Sequence, residues 1–210
     1  MFRRSWFWDQ LAARYARMPI ADPASYETKL QKTRALLRPD SRVLEIGCGT
    51  GSTAIVHAPH VAQILAIDFS ARMLDIARKK ARAAGVANLE FAQCTLAELK
   101  SPVGSWDAVL GMSILHLVPD RAATLRRVYE LLKPGGVFVS STICIADAPW
   151  RMRLPARVLG ALPLLPTVAS LGLAQLKREL ISVGFEIEQC WRPREDRAAF
   201  VVARKPISEP

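Results

Sequence analysis

Short runs rich in β-branched and aromatic residues alternate along the chain with stretches of helical apolar periodicity. The runs are RVLEIG (42–47), QILAID (63–68), NLEFAQ (88–93), WDAVLGM (106–112), VFVSSTI (137–143), FEIEQCW (185–191) and AFVVAR (199–204). Seven strands separated mostly by helices predict a parallel-dominated α/β sheet. Between the second and third runs, Met73, Leu74, Ala77, Ala81 and Ala84 form a helical stripe, with Ser70 placed to cap its start and Gly85 its end. A further helix is predicted from Asp120, an N-cap residue, through Leu125, Val128 and Leu132 to the stop KPGG at 133–136. Only RPRED (192–196) separates the last two strands. That length permits a hairpin but no parallel crossover, so one of the two runs antiparallel.

The first run ends in VLEIGCGTG, where Gly47, Gly49 and Gly51 leave a strand and precede a helix. Bare backbone there allows a tight turn and the close approach of a ligand at the strand's carboxyl end. Asp68 ends the second strand, facing the same crevice, where a carboxylate can accept both hydroxyls of a ribose. A nucleoside derivative fits. A dinucleotide fold would also present glycines and a later acid, but the spacing here is GxGxG, not GxGxxG. Glu45, two residues before the first glycine, would repel a pyrophosphate and suit a ligand that carries an ammonium. A sulfonium nucleoside with an amino-acid tail meets that description.

Composition narrows the setting. At 210 residues, half apolar and without repeats or Gly/Ser tracts, the chain reads as one globular domain. Cys48, Cys94, Cys144 and Cys190 lack metal-ligand spacing and read as buried free thiols in a reducing cytosol. The start, MFRRSWFWDQ, is interrupted by Asp9 and Gln10 before a signal-peptide core can form, so a cytoplasmic location without export is expected. The net charge of +10, from 29 basic and 19 acidic residues, favours contact with phosphates or anionic lipid. The basic residues are dispersed, however, and no zinc-finger, RRM or KH signature accompanies them, so no sequence-specific nucleic acid is expected.

In VLEIGCGTG, AIDFS, WDAVLGMSILHLV, LKPGGVF and the closing VGFEIEQ and AFVVARK, the chain resembles the class I S-adenosylmethionine-dependent methyltransferases of the small-molecule type. The resemblance runs from about Tyr15 to Ala203. It implies a Rossmann-like seven-stranded methyltransferase sheet with the last strand antiparallel and helices on both faces. It also implies S-adenosyl-L-methionine as cofactor. The loop Glu45, Gly47, Cys48, Gly49 and Gly51 would then meet the methionine moiety, Asp68 the ribose, and Phe69 and Met73 the adenine. Gly111 and Tyr15 complete the implied cofactor contacts, Tyr15 from an N-terminal helix that closes over the methyl donor. The family often places an acid after strand three to bond the adenine amino group. This chain has Thr95 there, and Thr95 with the backbone of Leu96 is left to do so.

Methyl transfer from a sulfonium depends largely on positioning and desolvation, so a catalytic base is optional. For a hydroxyl acceptor a neutral imidazole is the natural proton acceptor, and His116, after strand four, is the catalytic candidate. A structural role in packing the loop is the other reading of this residue. His57 and His60 are expected at the surface, and no metal site is expected.

The whole of 1–210 reads as one methyltransferase domain, with an N-terminal helical lid over about 1–38 and an apolar lid insertion over about 148–173. Three prolines, Pro155, Pro163 and Pro166, break that insertion too often for a membrane-spanning helix. It either covers the substrate pocket or, edged by Arg151, Arg153 and Arg157, meets a lipophilic small-molecule acceptor or a membrane surface. Two rival functions remain: a non-catalytic SAM-binding domain acting through protein or RNA contacts, and a nicotinamide dehydrogenase, the latter disfavoured by GxGxG and Glu45.

Overall fold

A computed structural model describes residues 2–148, 170–194 and 198–207. Most of the expected apolar insertion, 149–169, lies outside the described residues, as does the contribution of Arg151, Arg153 and Arg157. The seven strands are β1 (Arg42–Ile46), β2 (Gln63–Asp68), β3 (Leu89–Gln93), β4 (Trp106–Met112), β5 (Leu132–Thr142), β6 (Glu186–Trp191) and β7 (Ala199–Arg204). They form one sheet in the order β3-β2-β1-β4-β5-β7-β6. The first five are parallel, and β7 runs antiparallel to both β5 and β6. The short connection before β7 dictates that reversal.

Helices α1 (Phe2–Tyr15), α2 (Pro23–Arg34), α3 (Ser52–His57), α4 (Ala71–Ala83), α5 (Arg121–Leu131) and α6 (Leu173–Val183) accompany the sheet. Strand side chains alternate between two apolar layers. Leu44, Val109 and Phe138 face α5 and α6 through Leu125, Val128, Leu176 and Leu180. Val43, Leu110 and Val139 face the other way, towards Ala54 of α3 and Leu74 of α4. Arg121 and Glu179 tie α5 to α6 with a paired salt bridge.

One boundary departs from the sequence reading. KPGG does not separate α5 from the next strand: β5 begins at Leu132, opposite Trp106, and its register shifts before Val137 meets Ala108. The Pro-Gly-Gly segment is accommodated as an irregularity within the strand, and the Gly135 amide donates to the Lys205 carbonyl on the far side.

Strand order reverses between β1 and β4, and in such sheets the ligand crevice opens at the carboxyl ends of the strands that flank that point. Here the loop after β1 carries the glycines and the loop after β4 carries His116. The N-terminal helix is fastened beside this crevice. Ser70, the N-cap of α4, accepts from the Met73 amide at 3.2 Å and donates its hydroxyl proton to Asp9 of α1 at 2.6 Å. The Arg72 amide also donates to Asp9, at 3.2 Å. Both partners therefore satisfy amides at the start of α4 that have no carbonyl within the helix.

Ser70→Ala removes the cap and the Asp9 contact together. Stability is expected to fall by about 1–2 kcal/mol, read as a lower urea midpoint at unchanged slope. An unchanged midpoint would show that the α1–α4 junction bears no load.

Candidate cofactor and active site

The loop after β1 is closed by its own backbone. The Cys48 amide donates to the Ile67 carbonyl at 3.0 Å, and the Gly51 amide to the Cys48 carbonyl at 2.9 Å. The Gly49 amide donates to Oδ2 of Asp68 at 2.9 Å, while Oδ1 of Asp68 accepts from the Ser70 amide at 2.9 Å. Two glycines are required for different reasons. A β-carbon on Gly47 would lie 2.6 Å from Cδ1 of Ile114, so this residue is fixed by the loop after β4. A β-carbon on Gly49 would meet nothing nearer than the Tyr15 ring, at 4.0 Å. Gly49 also has a φ of +54°, and its open side faces a space that the protein itself does not fill.

Three ionisable groups converge on that space. Glu45 is 2% exposed and its Oε2 has no hydrogen-bond partner. Burial first, and the Asp68 charge second, push its carboxyl up to about 8, against the lowering effect of a backbone bond from Ala54. Asp68 is also raised by burial, offset by amides of Ser70, Gly49 and Phe69. Because a carboxylate offers about four acceptor positions, the bonds from the Gly49 and Ser70 amides, even with Phe69 beside them, leave Asp68 room for a further donor. Tyr15 is 43% exposed, and burial, then the charges of Asp68 and Glu45, hold its phenol above the ordinary range. Burial also raises the phenol of Tyr26 in α2, offset by Thr53 and reinforced by the charges of Glu45 and Tyr15.

The remaining residues named from the sequence are distributed as follows. Phe69 is half-buried and Met73 buried at the start of α4, while Gly111 is buried between Phe138 and Ile114. Cys48 is buried, its thiol held well above the usual range by burial, and its amide is already engaged by β2. Thr95 and Leu96 are half-buried after β3. The amide and the hydroxyl of Thr95 both donate to Oε2 of Glu98 at 2.9 Å. A carboxylate thus stands beside the position where the sequence reading found no acid. The T-x-x-E spacing was the available signal.

His116 is 5% exposed with its Nδ1 unpartnered, and burial lowers its pKa to about 4. It is therefore neutral across the physiological range. The loop that carries it begins at Ser113, held at φ +59° with its amide donating to the Ser141 carbonyl at 2.7 Å. A non-glycine residue in that region is strained and needs the surrounding structure to hold it. Across the crevice, Lys29 of α2 donates to the Ser141 hydroxyl at 2.9 Å.

Two expectations need correction. His57 is not at the surface: it is 1% exposed, neither ring nitrogen has a partner, and burial lowers its pKa to about 4. It closes α3 where the turn Ala58–His60 and α2 pack against it, with His60 and Arg34 as its charged neighbours. Among the cysteines, Cys48 and Cys144 are buried, but Cys94 is half-buried and Cys190 lies exposed on β6, whose outer positions alternate with inner ones. Among the described residues no group of three His, Cys, Asp or Glu side chains is placed to hold a metal ion.

Residues 43–136 match the model of a methyltransferase domain. A ubiquinone biosynthesis O-methyltransferase from Acinetobacter baylyi is 38% identical over 103 residues, which are 49% of this chain and 43% of that protein. The methyltransferase YcgJ of Bacillus subtilis is 33% identical over 102 residues, 49% of this chain and 40% of the relative. The chain thus spans less than half the length of these relatives. Among solved structures, the [4+2]-cyclase SpnF superposes with a TM-score of 0.75 at 23% identity, covering 91% of this chain and 84% of that one. A Bacillus halodurans protein described as a putative methyltransferase superposes at 0.73 and 18% identity, covering 87% of this chain and 100% of its own. Residues 43–136 are thus a methyltransferase domain segment, and the sheet around them has the fold of solved methyltransferases, one of them described as S-adenosylmethionine dependent, which makes S-adenosylmethionine the cofactor. The likeness to a cyclase is a likeness of fold alone.

The open side of Gly49 yields a direct test. Gly49→Val is expected to abolish binding of S-adenosylhomocysteine while circular dichroism shows the sheet retained, since the added side chain enters space that only a ligand fills. A folded variant with full affinity would place the ligand elsewhere.

Proposed function

We propose that this protein transfers the methyl group of S-adenosylmethionine to a hydroxyl of a small, largely lipophilic acceptor. The observation that supports this reading most is the crevice between β1 and β4. The loop after β1 offers the unfilled space at Gly49, the unpartnered oxygen of Glu45 and the Asp68 carboxylate that it binds, and the loop after β4 carries a buried, neutral His116. The named activity of the Acinetobacter relative favours oxygen as the acceptor atom.

When bound, the cofactor supplies an activated methyl group on a sulfonium. The protein's part is placement and charge. Gly49 would let backbone approach the methionine portion, in a loop that Gly47 packs against Ile114 and Gly51 against Ala77 and Phe91, with Glu45, Cys48 and Tyr15 as the neighbouring side chains. Asp68 would hold the ribose, Phe69 and Met73 would flank the adenine with Thr95 and Leu96 beside it, and Gly111, buried between Phe138 and Ile114, would act only through the packing of β4. The negative side chains suit a ligand carrying two positive centres. Residues 1–38 act as a lid over the donor, and the apolar composition of 148–173 supports an acceptor with a hydrophobic body, with peripheral contact to an anionic membrane as its source. His116 in its neutral form accepts the acceptor's hydroxyl hydrogen bond and takes the proton as the methyl group is transferred. Burial that keeps His116 neutral also weakens it as a base, so its contribution belongs at the lower end of the usual range.

His116→Ala is expected to lower turnover by about 10², with affinity for S-adenosylhomocysteine nearly unchanged. In the unaltered protein the His116-dependent part of the rate should be flat with pH above about 4, because the imidazole is already deprotonated there. The assay is methyl release over paired lipophilic and polar phenols. Full activity in the variant would make His116 structural. Tight cofactor binding without turnover on any acceptor would favour a non-catalytic binding domain.

A further inference from the structure

We propose that cofactor binding ionises Glu45: its carboxyl is protonated in the free protein, pairs as a carboxylate with the ammonium of the ligand's amino-acid tail, and releases one proton to solvent. The proposal rests on the reading that S-adenosylmethionine is the ligand. It makes Glu45 the residue that selects for the charged tail.

The geometry is that of an isolated acid. Glu45 lies next to last in β1, is 2% exposed and leaves Oε2 without a partner. The Ala54 backbone in α3 is the only neighbour that favours its charged form. The groups that face it are Asp68 from β2, Tyr15 from α1, Tyr26 from α2 and Cys48 from the glycine loop. None is a cation. Among the described residues no lysine, arginine or histidine offsets a charge at Glu45. A carboxylate buried in such company is costly, and holding the proton avoids that cost. The value of about 8 agrees with this placement. Asp68 is different, because amides of Ser70, Gly49 and Phe69 support its charged form.

An ammonium brought to Oε2 reverses the balance. The Glu45 O–H bond breaks, its proton leaves to water or buffer, and the carboxylate accepts a hydrogen bond from the ligand's N–H. The sign follows from linkage. Below about pH 8 the free protein binds one more proton than the complex, so affinity for a tail-bearing ligand rises with pH and then levels off. A nucleoside that lacks the tail gains nothing from the ionisation.

Calorimetry of the full chain with S-adenosylhomocysteine and with 5′-methylthioadenosine separates these cases. The measurements run from pH 6.5 to 8.5 in buffers of different ionisation heat. Affinity for S-adenosylhomocysteine is expected to rise about tenfold from pH 6.5 to 7.5, with close to one proton released, while that for 5′-methylthioadenosine stays constant. Glu45→Gln is expected to remove both the pH dependence and the proton release and to keep 5′-methylthioadenosine binding. Flat S-adenosylhomocysteine affinity with no buffer-dependent heat overturns the proposal alone, and so does a pH dependence that survives in Glu45→Gln. If that variant does not fold, the comparison of the two ligands on the unaltered protein decides. Absence of binding by either ligand at every pH overturns the cofactor reading, and the proposal falls with it.

Discussion

Two hydrogen bonds, from the Cys48 amide to the Ile67 carbonyl and from the Gly49 amide to the Asp68 carboxylate, hold the loop after β1 against the end of β2. Everything at the crevice depends on that closure. It aims the bare side of Gly49 at open space, leaves Glu45 buried below the loop, and keeps Asp68 at the rim with acceptor capacity remaining. The loop after β4 completes it from the other strand, with Ile114 packed where Gly47 lacks a side chain. Tyr15 and Asp9 extend the same framework to α1, so the N-terminal helix is registered on the crevice through Gly49 and Ser70.

Local chemistry carried much of this into the sequence. Ser70 and Asp120 cap the helices they were expected to cap, each accepting from an amide three residues on. The strands were legible because each is a compact apolar run bounded by turn residues, and the reversal of β7 followed from the length of one connection. What was not legible depends on contacts between distant segments. Asp9 reaches Ser70 across sixty-one positions, and nothing in either local sequence announces the pair. The burial of His57 depends on α2, which is distant in sequence and packs against the six-residue α3. KPGG reads as a stop by local rules, yet pairing with Trp106 and the Lys205 contact draws its surroundings into β5. Glu98 was overlooked because the acid was sought at position 95, whereas the turn brings the carboxylate back from three residues later.

The charge distribution joins fold to chemistry. A chain with a net charge of +10 places Glu45 and Asp68 at its ligand loop, with Asp9 acting on Asp68. Asp68 supplies the standing negative charge there, and Glu45, protonated while free, becomes a carboxylate only beside a cation. Because an acid like Asp68 also serves the ribose of a dinucleotide, the separation from a dinucleotide rests on Glu45, which pairs with an ammonium and has nothing to offer a pyrophosphate.

The most direct test of this account is calorimetric titration of the protein with S-adenosylmethionine, S-adenosylhomocysteine and NAD under identical conditions. The account predicts that the first two bind at one site per chain and that NAD does not compete. Preferential binding of NAD, or its displacement of S-adenosylhomocysteine at comparable concentration, would contradict it.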